Sequence, residues 1–76
     1  MAKRYYFHVL DGEASLDETG YEFNNLSDVR WEALQTAGAM LTELGPDFWD
    51  RRSWTLWVTD EEGATVLTLG LSADQP

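Results

Sequence analysis

One histidine, His8, is the only side chain in this sequence whose ordinary titration lies near neutrality. Acid–base work at such a ring needs an orienting carboxylate, and Asp11 and Glu13 follow close behind it. The neighbours point elsewhere. His8 stands within Tyr5-Tyr6-Phe7-His8-Val9, an aromatic and β-branched run in which a histidine is ordinarily a strand residue packed among rings. Nucleophilic chemistry has as little to work with. There is no cysteine, and Ser15, Ser27, Ser53 and Ser72 occupy no strand–turn–helix elbow. No catalytic residue is assigned.

Asp11, Glu13, Ser15, Asp17 and Glu22 fall at the spacing of five ligand positions in an EF-hand loop. Leu16, however, takes the place of that loop's glycine, and the flanking segments read as strands rather than helices. The expectation is a solvated acidic loop with no metal and no cofactor. Gly12 and Gly20 have acids between them, which is hostile to phosphate. The remaining chemistry is aromatic: ten large rings, four of them Trp. Rings on a sheet can stack bases, but such platforms sit in electropositive grooves. Here fourteen acidic side chains face five basic ones, for a net charge of −9, and nucleic acid is not an expected partner.

The same composition bounds the class of protein. Without cysteine there is no disulfide or thiolate framework. No apolar run approaches the roughly 18 residues of a membrane span. The first residues carry an apolar stretch too short and too aromatic for a signal peptide, so the expected compartment is the cytoplasm. The 76 residues show no repeat or linker and read as a single domain, 1–76. Each large ring can bury about 150–250 Å², which offsets the small size and favours a folded chain.

Five elements must position these residues. Residues 5–10 alternate as a strand that stops at Asp11-Gly12, with Tyr5, Phe7 and Val9 on one face and Tyr6, His8 and Leu10 on the other. A short second strand is expected over residues 21–24. A helix then opens at Leu26-Ser27-Asp28, with Ser27 as cap and Leu26 and Trp31 as a hydrophobic staple. Val29, Ala33, Leu34, Ala37, Met40, Leu41 and Leu44 fall within about 140° of one another at 100° per residue. Gly45-Pro46 ends the helix, and residues 46–50 can add one turn, with Phe48 and Trp49 folding back over the open end of the core. Residues 54–59 and 65–71 form a hairpin around Asp60-Glu61-Glu62-Gly63. A loop of two or four residues would put Trp54, Leu56 and Val58 on the face of Leu67, Leu69 and Leu71, whereas three would substitute Val66 and Thr68. The hydrophobic pattern favours the first arrangement.

The fold class that follows is α+β, in ββαββ order, an antiparallel sheet with one amphipathic helix packed on one face. One helix covers only one face. Tyr6, His8, Trp57 and Val66 are then the interface candidates on the other.

Arg4-Tyr5-Tyr6-Phe7-His8-Val9 followed by Asp11-Gly12 resembles the opening of a family of short uncharacterised alphaproteobacterial proteins, a domain of unknown function. The likeness continues through Asp17-Glu18-Thr19-Gly20, Arg30-Trp31-Glu32-Ala33, Phe48-Trp49-Asp50 and Trp54-Thr55-Leu56-Trp57-Val58-Thr59. It covers essentially the whole chain and implies a self-contained small domain, and no catalytic residue is carried over from it. A looser likeness, in element order and acidity, is to HicB-type antitoxins, which bind a small basic toxin. The expected function is therefore a non-enzymatic protein-interaction module acting as a homodimer. The alternatives are an acidic antitoxin-like or inhibitor-like binder of a basic protein and, behind it, a His8-dependent or metal-dependent enzyme.

Overall fold

The computed structural model describes residues 2–74; Met1, Gln75 and Pro76 of the expected 1–76 domain lie outside the described residues. Strand β1 (Lys3–Leu10) is central, and its alternation is physical: Tyr5 and Val9 are buried beneath the helix, while Tyr6 and His8 take the opposite face. Strand β4 (Ser53–Thr59) repeats the pattern, with Trp54, Leu56 and Val58 buried and Thr55, Trp57 and Thr59 half-buried between them.

The acidic segment after β1 is not all loop. It holds a two-residue strand, β2 (Ala14–Ser15), before the expected short strand, β3 (Tyr21–Phe23). Both pair antiparallel with the same side of β1: β3 against Lys3, Arg4 and Tyr5, and β2 against Val9 and Leu10. On the other side β1 pairs with β4, and β4 with β5 (Thr65–Ser72), so the sheet runs β2-β1-β4-β5 with β3 also on β1. All pairings are antiparallel.

Helix α1 (Leu26–Leu44) lies across one face. Its cap is Asn25, not Ser27: the Asn25 side-chain oxygen accepts from the Asp28 amide at 2.8 Å. The helix therefore opens at Leu26, which places Leu26 and Trp31 inside the helix and exposed instead of as a staple. Val29, Ala33 and Ala37 are its buried residues, and the two alanines let the helix approach the sheet closely. Leu41 and Leu44 pack against the same core, whereas Leu34 and Met40, expected within the apolar arc, are exposed. Gly45, at φ 58°, ends the helix as expected. A 3₁₀ turn (Gly45–Asp47) leads into α2 (Phe48–Arg51). Phe48 does fold back onto the core. Trp49, edge-on to it at 6.0 Å, stays 55% exposed.

The β4–β5 turn resolves the parity question by a route the pattern did not anticipate. The Asp60 amide donates to the Ala64 carbonyl and the Gly63 amide to the Asp60 carbonyl, which encloses a three-residue loop with Gly63 at φ 85°. The Asp60 carboxylate also accepts from the Glu62 and Ala64 amides. Such a loop alone would set Val66 opposite Val58. Instead the register shifts between Val58 and Thr59, so that Thr59 faces Thr65 but Val58 faces Leu67. Val66 is the extra residue of this bulge, and Leu67, Leu69 and Leu71 regain the registry of Val58, Leu56 and Trp54. Val66 packs against the core cluster and does not join Tyr6, His8 and Trp57.

Candidate functional site

The face away from α1 is built from the even residues of β1 and the odd residues of β4. Cross-strand pairing puts His8 opposite Trp57 and Tyr6 opposite Thr59. The His8 and Trp57 rings lie 5.1 Å apart at 38°, a tilted stack, and all four side chains are half-buried, with Asp17 and Gly20 set against His8 and Tyr6. Three of the four interface candidates thus share one patch.

His8 is held at both nitrogens. The Asp17 backbone amide donates to Nδ1 at 3.0 Å, and Nε2 lies 2.9 Å from the Thr59 hydroxyl oxygen. A backbone N–H can only donate, so Nδ1 must be the bare nitrogen and the neutral ring carries its proton on Nε2, which donates to Thr59. A base that activated the Thr59 hydroxyl would need the opposite tautomer, with a carboxylate rather than an amide behind it. The arrangement fixes a ring in place; it does not prime a nucleophile. Asp11 and Glu13, the carboxylates expected near His8, make no hydrogen bond to it. Asp11 instead lies 3.9 Å from the Arg51 guanidinium.

Asp17 is the residue that sequence reasoning undervalued. Between the stretches of β1 taken by β3 and by β2, Phe7 has no strand partner on that side. The Asp17 carboxylate fills the gap, accepting from the Phe7 amide at 3.1 Å with one oxygen. With the other it accepts from the Thr19 and Gly20 amides at 3.0 and 3.1 Å. Burial acts to raise the Asp17 pKa, but the amides of Gly20, Phe7 and Thr19 and the charge of His8 outweigh it and hold the group below its ordinary value. Gly20 closes the latch. At φ 70°, a Cβ there would stand 2.7 Å from the Tyr5 carbonyl oxygen and 3.0 Å from the Tyr6 ring. Arg4 completes it by donating to the Thr19 carbonyl at 2.8 Å and pairing with Glu22 at 3.0 Å.

The calcium-like spacing comes to nothing as geometry, because Asp17 and Glu22 are committed elsewhere and Ser15 lies in β2. Among the described residues no three His, Asp or Glu side chains cluster as metal ligands. No helix among them is long and apolar enough to cross a membrane. On the helix side, an open groove of about 320 Å³ runs between α1 and the β2–β3 edge, bordered by Phe7, Leu16, Tyr21 and Met40.

This combination of a fixed ring stack and a carboxylate latch rests on residues spread from Arg4 to Thr59, and a family match spans them all. The profile of the Domain of unknown function (DUF6894) family covers residues 4–72. The chain belongs to that family. Within the matched DUF6894 span lie the whole latch, the ring face and all of β5. No curated protein and no solved structure matches the chain.

Proposed function

We propose that this DUF6894 domain is a non-enzymatic protein-interaction module of the cytoplasm that works as a homodimer. The observation behind the reading is that α1 covers one side of the sheet while Tyr6, His8 and Trp57 form a half-buried aromatic patch on the other, away from the helix. The hydrogen bonds at His8 favour the same reading, since they spend both ring nitrogens on holding the patch rigid. Rigid aromatic surface is what protein interfaces use as anchors, because little side-chain entropy is lost on contact. Light scattering coupled to size exclusion tests it: a dimer is expected at tens of micromolar, and a strict monomer at that concentration overturns it. Trp57→Glu should weaken association while leaving the helical circular dichroism unchanged.

A second reading, an acidic binder of a basic protein, is favoured by the charge. Only Arg4–Glu22 and Arg51–Asp11 form ion pairs among the described residues, so most of the fourteen acidic side chains face solvent unneutralised. It predicts co-purification of a basic protein from the native host, lost as salt is raised. Catalysis dependent on His8 or on a metal stands third, and would require an activity abolished by His8→Ala.

A further inference from the structure

We infer that the homodimer forms along β5, by antiparallel pairing of two β5 strands about a two-fold axis through Leu69; this rests on the homodimer reading above, from which it takes self-association, and puts the contact on the strand edge beside the Tyr6–Trp57 patch rather than on that patch. Strand β5 ends the sheet and pairs only with β4, so its outer row of N–H and C=O groups has no strand partner among the described residues. Proteins blunt such an edge with lysine, proline, inward charges or very short strands. β5 has eight residues, Thr65–Ser72, with neither charge nor proline. Its one irregularity, the bulge at Val66, sits at the beginning and leaves Leu67–Leu71 regular.

The occupant follows from charge and symmetry. Two copies of a chain with net charge −9 repel over most of their surface, and an uncharged strand is where they can approach. A basic partner would gain nothing electrostatic there. A two-fold axis perpendicular to the sheet sets residues of like face opposite each other, so both helices lie on one side of a continuous sheet. With Leu69 against its own copy, Leu67 meets Leu71 of the second copy and Leu71 meets Leu67, so three leucine pairs line the helix side of the seam. Leu71 is 45% exposed and Leu34, beside Leu67 and Leu69 in a shallow cleft, is 56% exposed; both would be covered further. On the reverse face Thr68 meets Gly70 of the second copy, next to Trp57, so the aromatic patch runs up to the seam. The seam is small beside the roughly 1,000 Å² of a lasting interface, and reversible micromolar association is expected.

Because the chain has no cysteine, introduced thiols report the register directly. Under mild oxidation Leu69→Cys should cross-link to its own copy, since directly opposed strand residues meet the distance a disulfide requires. Leu67→Cys and Leu71→Cys should each fail alone and link when mixed. Should Leu69→Cys disturb the core, a mixture of Thr68→Cys and Gly70→Cys, both exposed, should give the linked heterodimer where neither links alone. Linking of Leu67→Cys by itself as fast as Leu69→Cys, or of neither mixture, overturns the seam. A dimer in light scattering without these cross-links leaves self-association standing and moves it to the Tyr6–Trp57 face. A strict monomer removes both.

Discussion

Along β2 and β3 the sheet ends in strands of two and three residues with an acidic loop folded between them; along β5 it ends in eight residues of uncharged backbone. The first edge is unattractive to another strand. Its only long gap, at Phe7, is occupied by the Asp17 carboxylate, and Arg4 and Glu22 place charge beside it. The second edge carries none of these devices beyond a bulge at its start. Both edges belong to one small domain, so the difference is local chemistry rather than overall composition. Side chains close the sheet where the ladder is interrupted, and bare backbone remains where nothing charged intervenes.

Breaking the closed edge should have the largest effect. Asp17→Ala removes the acceptor for three backbone amides and leaves the Phe7 N–H without a partner. A loss of about 2–3 kcal/mol in urea unfolding is expected. Amide exchange at Phe7 should accelerate, while exchange in β4 should follow only the global loss. If the Phe7 amide keeps its protection in this variant, the latch is not what holds the edge.

Gly20→Ala attacks the same edge from the backbone. The added methyl would have to displace the Tyr5 carbonyl, and alanine strains at a φ of 70°. About 2 kcal/mol of destabilisation is expected. Gly70→Ala, on the open edge with no heavy atom near its new methyl, should be neutral or mildly stabilising by comparison. Equal costs at the two glycines would erase the distinction between the edges.

What could be read from the sequence divides along similar lines. The elements and their buried faces follow from period, and Tyr5, Val9, Leu56, Val58, Ala33 and Ala37 lie where alternation and helical spacing put them. Tyr6, His8 and Trp57 were legible as one face for the same reason. Asp17 was not, because a carboxylate serving backbone amides leaves no periodic trace among its acidic neighbours; the one hint was its spacing to Gly20, two residues beyond Glu18. Asn25 and Ser27 are near-equal caps on propensity, and it is the Asn25 side-chain oxygen that accepts from the Asp28 amide. Hairpin parity was set correctly by the leucines, yet the bulge at Val66 that achieves it depends on turn hydrogen bonds through Asp60, which hydrophobic pattern does not encode.

Acidification should move the two edges in opposite directions, with a smaller effect than either substitution at the latch. The folded-state pKa of Asp17 lies below that of the unfolded chain, so its contribution is complete above the ordinary carboxylate range, about pH 4. It is lost as pH falls through the folded value. Strand β5 itself carries no titratable side chain, Arg30 is the charged residue in the cleft beside it, and the acid that neutralises carboxylates elsewhere also lowers the repulsion between copies. Falling pH should therefore weaken unfolding stability while strengthening association, read by urea titration and light scattering on the same samples. Asp17→Asn separates the contributions: it should flatten the acid limb of the stability curve and leave the pH dependence of association intact. A variant in which both curves flatten together would mean that the closed edge, and not β5, is where the copies meet.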